Sequence, residues 1–169
     1  MNWLGEIVQR NTKQSDTVLD LGCGIQQAIN NIKAKSVLGV DIWDVYLNEI
    51  KDNIQTVRIS MSELDRFMDK SYDLVICLDV VEHLEKELAL KVLDECKRIC
   101  RRMVIIYTPS EFKDNMGAVE NAWDLGYNEH QKHLCLLDMT DFKSRGYSTS
   151  MVTDNGILAT WERCYQTKD

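Results

Sequence analysis

The chain has 169 residues, 44% apolar and 28% charged, and its 27 acidic against 20 basic side chains leave a net charge of −7 at pH 7. That length suits a single domain over residues 1–169, and the composition excludes disordered and membrane-embedded classes. The negative charge argues against nucleic acid as partner, because such affinity comes largely from neutralising phosphates with Lys and Arg.

In chain order, Trp3, Leu4, Ile7 and Val8 recur at helical spacing. The start "MNWLGEIVQRN" lacks the basic-then-apolar pattern of a secretory signal. Five short runs rich in β-branched residues follow: 17–21 (TVLDL), 36–41 (SVLGVD), 56–60 (TVRIS), 72–78 (YDLVICL) and 103–108 (MVIIYT). Separated by helix-length segments, they read as a parallel sheet. The strongest helix is expected over 85–101, where Leu88, Val92, Cys96 and Ile99 or Cys100 share a face. Its end carries the densest basic cluster, "KRICRR" at 97–102, where cations offset the helix dipole.

A polar stretch at 110–131 precedes "DMTDFKSRG", a capped helix starting from Asp138 or Thr140 and stopping at Gly146. Strands over 147–152 and 157–163 then flank the hairpin signal Asn155-Gly156. Six cysteines without a CxxC pair are expected as reduced thiols, which favours a cytoplasmic location.

In open parallel sheets, ligands bind beyond the carboxyl ends of the strands. Here those ends carry Asp20 to Gly24, Asp41, Ser60 to Ser62, and Asp79. Gly22 and Gly24 permit a tight turn, and Asp41, 21 residues after Asp20, is placed to accept hydrogen bonds from ribose hydroxyls. A dinucleotide loop wants a further glycine where Gln27 stands, and a carboxylate at Asp20 would repel a pyrophosphate. A cationic ligand reverses that sign, and S-adenosylmethionine carries a sulfonium and an ammonium.

"VLDLGCG", "LGVDIW" and "SYDLVICLDVVEHL" resemble successive motifs of class I S-adenosylmethionine-dependent methyltransferases, strongly over 16–109 and more loosely beyond. The resemblance implies a doubly wound, mostly parallel seven-stranded α/β sheet with an antiparallel C-terminal hairpin. It also implies S-adenosylmethionine as cofactor. The Gly22-Cys23-Gly24 backbone would approach the methionine part, Asp20 would orient its amino group, Asp41 would bind the ribose and Ile42 would pack on the adenine. The third-strand turn reads "ISMSEL" where the family usually has an acid, so Ser60, Met61 or Ser62 would serve. Asp79 and Val80 would line the methionine side, and His83 matches a recurrent position.

Methyl transfer needs donor and acceptor held in line, with a base only where the acceptor must lose a proton. Candidates for that role are His83, His130 and His133, with Glu129 and Tyr107 as further options. His130, His133 and Cys135 form a weaker metal reading, and no metal is expected. "YTPS" lacks the Asn/Asp-Pro-Pro-aromatic signature of DNA amino-methyltransferases, which together with the charge points to a small-molecule acceptor. A monomer or homodimer is expected. Two competing readings are a non-catalytic cofactor-sensing or partner-binding module of the same fold, suggested by Gln26 and the missing third-strand acid, and a nicotinamide-dependent oxidoreductase.

Overall fold

Five parallel strands, Thr17–Leu21 (β1), Ser36–Asp41 (β2), Gln55–Arg58 (β3), Tyr72–Leu78 (β4) and Cys100–Pro109 (β5), build most of the sheet in a computed structural model. The structure describes residues 3–25, 32–50, 54–152 and 155–164. Gln26 and Gln27, and the crossover they open, lie outside the described residues. Ser148–Val152 (β6) and Gly156–Glu162 (β7) complete a seven-stranded sheet of order β3-β2-β1-β4-β5-β7-β6. The terminal hairpin is present as expected, but its second strand is the inner one: β7 runs antiparallel to both β5 and β6. Gly156 accommodates this pairing, since a Cβ there would meet the Tyr107 ring at 2.2 Å.

The chain winds outward from β1 through β2 to β3, then returns to place β4 on the other side of β1. That reversal opens a crevice at the carboxyl ends of β1 and β4. The central strands are apolar on both faces, as a sheet covered on both sides requires. Leu19, Leu21, Val75, Cys77, Val104 and Ile106 pack on one side with the helix Lys86–Ile99 (α3). Val18, Leu74, Ile76 and Ile105 pack on the other with Val8 of the helix Trp3–Asn11 (α1).

The buried stripe of α3 runs through Ala89, Val92, Leu93, Cys96 and Ile99, so Leu88 sits at its margin instead of within it. The helix is shorter than its periodicity suggests because Cys100 already begins β5. Arg101 and Arg102 therefore belong to the strand, where they pair with Asp73 and Asp16. Arg98, still on α3, pairs with Glu95 and Asp69. These arginines of the basic cluster are thus spent on neighbouring acids within the chain.

The polar stretch after β5 contains the helix Met116–Glu120 (α4, following α2 at Asp44–Glu49) and 3₁₀ turns at Ala122–Asp124 and Glu129–Gln131. It is pinned back to the sheet where the Leu134 and Cys135 amides donate to the Glu82 carbonyl at 2.8 and 3.2 Å. Of the two capping candidates, Asp138 is the cap of the helix Met139–Lys143 (α5), accepting from the Thr140 and Asp141 amides. That helix closes at Gly146, whose φ of +80° suits glycine.

Candidate functional site

A cavity of about 660 Å³ opens at the topological reversal, and each strand end that the sequence marked as polar contributes to its wall. Asp20, Gly22, Cys23, Gly24, Asp41, Ile42, Ser60, Met61, Asp79, Val80, His83, His130 and His133 all line it. The other two base candidates, Glu129 and Tyr107, are not among the lining residues. Tyr107 is buried instead against Gly156 and edge-on to Trp3.

The glycine turn is shaped by its neighbours. Gly22 has φ +71°, and a Cβ there would fall 2.3 Å from Val80 Cγ2, so the end of β4 leaves no room for a side chain. The Gly22 and Cys23 amides both donate to the Val40 carbonyl, at 2.8 and 3.0 Å, and the Gly24 amide donates to Asp41 Oδ2 at 2.9 Å. The amides of Gly22, Cys23 and Gly24 are thus all engaged within the chain, which leaves these three residues no donor for a phosphate. It also narrows what the turn offers a ligand, namely its carbonyls and a close approach at Gly24, where added bulk would meet nothing within 4 Å.

Asp41 serves the turn and the cavity together. Oδ2 accepts from Gly24 and Oδ1 accepts from the Trp43 amide at 2.9 Å. The Ile42 amide also favours the ionised form of Asp41, and the lone-pair capacity left over is open to a ligand hydroxyl. Burial raises its pKa, and the amides of Trp43 and Gly24 work in the opposite direction.

Asp20, by contrast, is buried with no hydrogen-bond partner among the described residues. Burial, reinforced by the nearby charge of Asp41, pushes it up to about 8. An acid held in that state is costly to ionise unless a cation arrives. Burial, and after it the charges of Asp20 and Asp41, push the Cys23 thiol far up, so it is not a nucleophile.

The third-strand turn presents no acid to the cavity, which it lines with Ser60 and Met61. Ser60 Oγ accepts from the Ser62 amide at 3.2 Å, and the Glu63 carboxylate turns back onto the Ser60 amide at 3.1 Å. Glu63 is therefore the acid of this turn, spent on a capping box. Met61, buried under the turn, presents an apolar surface to the cavity, as does Ile42.

Several polar groups of the wall were not singled out from the sequence, among them Tyr46, Asn128 and, further along, Glu82. Tyr46 Oη lies near the Asn128 and Trp123 side chains in the cavity wall, and neither Tyr46 Oη nor Asn128 Nδ2 makes a well-formed hydrogen bond among the described residues. Unpaired buried polar atoms are uncommon and mark places where a ligand or water belongs. Their sequence signal is slight, because they lie in separate segments brought together only by the fold. His130 lies at this end, close enough for its charge to favour ionisation of Asp41.

The opposite end is formed by Asp79, Glu82, His83 and His133. Asp79 adopts φ +54°, a conformation uncommon for a non-glycine residue and frequent at functional sites. It opens toward the cavity yet is ringed by protein, and burial raises its pKa. Glu82 is buried beside it and accepts from Thr108 Oγ1 at 2.9 Å. Burial and the Asp79 charge raise Glu82 as well, so the pair holds a proton more tightly than isolated carboxyls would. The rings of His83 and His133 stack edge to face at 4.8 Å. Burial lowers His83 to about 4, with His133 adding to the effect, and burial lowers His133 too. Both are neutral at pH 7.

The three histidines therefore separate, His130 toward Asp41 and His83 with His133 beside the carboxyl pair. Cys135, the third member of the weaker metal reading, points elsewhere, its thiol on the Val81 carbonyl at 3.4 Å.

Comparison with known proteins agrees with this geometry. A family model described as "Methyltransferase domain" matches residues 19–108. A ribosomal protein L11 methyltransferase of Thermotoga petrophila is 24% identical over 144 residues, covering 78% of this chain and 53% of that protein. The chain spans about half or less of the length of the curated relatives it matches. Among solved structures, an S-adenosylmethionine-dependent methyltransferase from Archaeoglobus fulgidus superposes with a TM-score of 0.65 at 14% identity, covering 94% of each chain. Magnesium protoporphyrin IX methyltransferase from Synechocystis, solved with S-adenosylhomocysteine bound, gives 0.65 at 17% identity, covering 96% of this chain and 80% of that one.

Proposed function

The chain belongs to the methyltransferase-domain family, and from that premise we propose that it transfers a methyl group from S-adenosylmethionine to a small-molecule acceptor, as one domain over residues 1–169. The observation that carries this reading is Asp20, a buried acid without a partner among the described residues at the floor of the cavity. The residues fit the cofactor. Asp20 suits its ammonium group, and Asp41 has lone-pair capacity left for ribose hydroxyls. Ile42 and Met61 offer apolar surface to the adenine, and Gly24 leaves open space where a side chain would intrude. Bound there, S-adenosylmethionine supplies a methyl group made electrophilic by its sulfonium.

The protein's own part is to hold, orient and exclude water. Asp20 and Asp41 fix the two ends of the cofactor site, and Asp79 with Val80 lines the side toward the acceptor. His83 and His133, neutral at pH 7, present lone pairs to the acceptor. An imidazole at about 4 is a weak base for a hydroxyl, so His83 orients the acceptor's O–H or N–H and does not strip its proton in the ground state.

Among the described residues no helix is long and apolar enough to cross a membrane. Five of the six cysteines are buried free thiols, which supports a reducing, cytoplasmic setting. We read the protein as acting on a small molecule as a monomer or homodimer, without nucleic-acid partners. Incubation with methyl-labelled cofactor and a metabolite extract should place the label in the low-molecular-weight fraction. Label found only on protein would overturn the small-molecule acceptor, and no transfer with cofactor still bound would favour the non-catalytic sensing module, a reading supported by the third-strand turn lining the cavity with Ser60 and Met61 and no acid.

A further inference from the structure

At the acceptor end of the cavity, one ligating atom each from Glu82, His83 and His133 lies within 4.8 Å of the others. A divalent cation bound tetrahedrally at about 2.0–2.2 Å holds its donors about 3.4 Å apart, so these side chains need to close by no more than about 1.4 Å. The arrangement around the two imidazoles is what metal-ligating histidines show elsewhere. His83 Nδ1 is 3.3 Å from the Lys132 carbonyl, and donating its proton there leaves the Nε2 lone pair for the cavity. The His133 ring is likewise held by the backbone of Lys113. Hydrogen bonds of this kind fix the tautomer and aim the free nitrogen. Glu82 is oriented in turn by Thr108 Oγ1, and the Asp79 carboxyl lies against it as a further oxygen donor.

We propose that Glu82, His83 and His133, with Asp79 beside them as a further oxygen donor, form a binding site for a divalent first-row cation of the Mn²⁺, Co²⁺ or Zn²⁺ class. Two imidazoles and a carboxylate are the donor set that such ions take, and imidazole nitrogen is a poor ligand for Mg²⁺ or Ca²⁺. The site faces the cavity, so a position stays open for an exogenous oxygen. An acceptor hydroxyl in that position would release its proton to water more readily, which supplies the activation that a weakly basic His83 does not. This role in the chemistry rests on the methyl-transfer reading, whereas the metal site itself rests on the side-chain cluster. The Lys113 ammonium is the nearby opposing charge and weakens, without blocking, a cation at half-buried His133.

Metal-stripped protein titrated with Co²⁺ should give saturable binding with visible d–d absorption, and Zn²⁺ should displace the ion. His83→Ala and His133→Ala should each weaken binding by at least about tenfold. His133, being half-buried, is the variant least exposed to misfolding, and thermal melts of both report whether the fold survives. Absence of saturable Co²⁺ binding, or binding unchanged in folded His133→Ala, overturns the site. S-adenosylhomocysteine titrated into the same metal-free protein separates the two readings: failure there counts against methyl transfer and leaves the cation result standing.

Discussion

Gly24 donates its amide to Asp41 Oδ2 at 2.9 Å across 17 residues of sequence, tying the turn after β1 to the end of β2. With the Trp43 amide on Oδ1 at 2.9 Å, one carboxylate organises two loops of the cavity. Replacing Asp41 by Ala releases both donors. The expected result is a loss of about 1–3 kcal/mol of stability, with faster hydrogen exchange confined to the Gly24 and Trp43 amides. Exchange followed by mass spectrometry or NMR checks that localisation.

Gly22→Ala combines a positive φ of +71° with a contact 2.3 Å from Val80 Cγ2. The predicted cost is about 1–3 kcal/mol, part strain and part clash. Val80→Ala should recover the steric share and leave the backbone share. A urea-denaturation double-mutant cycle would therefore show coupling between these sites and none between Gly22→Ala and a change at exposed Met68.

Asp20 gives a pH dependence whose sign follows from its raised value. The folded state holds this carboxyl protonated up to about 8, while the unfolded chain releases it near 3.8. The native state thus binds the extra proton between those limits, and its stability falls as pH rises through that window. The groups facing Asp20 are Asp41 and the Cys23 and Cys77 thiols, none of which is positively charged. Asp20→Asn should leave stability unchanged near pH 4 and raise it by about 1–4 kcal/mol at pH 8, while weakening cofactor binding. Melting temperatures of both proteins across that range test the first part. Proton release on cofactor binding, read by calorimetry in buffers of different ionisation enthalpy, tests the second.

Asp73 behaves in the opposite sense. Burial alone would raise it, but hydrogen bonds from Thr17 and Arg101 outweigh burial and lower it. Its stabilising contribution is present above its unfolded value of 3.8 and is lost as pH falls through the lower folded value. Because the pair is partly solvated, Asp73→Asn should cost only about 1–2 kcal/mol at pH 7. The difference from wild type should vanish in strongly acidic urea melts.

The parallel strands and the polar residues at their ends were legible because each is a local pattern: an apolar run, then an acid or glycine where the run stops. Asp20, Asp41 and Asp79 reach the same cavity for that reason. What the sequence concealed depends on distant closure. His83 and His133 meet because the segment after β5 returns onto the Glu82 carbonyl, and no spacing rule announces that turn. The proximity of Tyr46 and Asn128 is hidden for the same reason. The inner position of β7 was equally silent, since a hairpin signal fixes that two strands pair and not which of them joins the sheet. Helix α3 misled at its end, where periodicity runs on into a strand whose arginines answer acids elsewhere.

The central claim, that the cavity between β1 and β4 holds S-adenosylmethionine through Asp20 and Asp41, is tested most directly by isothermal titration with S-adenosylhomocysteine. The account predicts saturable one-to-one binding that Asp41→Asn, which keeps the fold better than alanine, weakens by about tenfold or more. Absence of binding at millimolar ligand, or equal affinity in the variant, would contradict it.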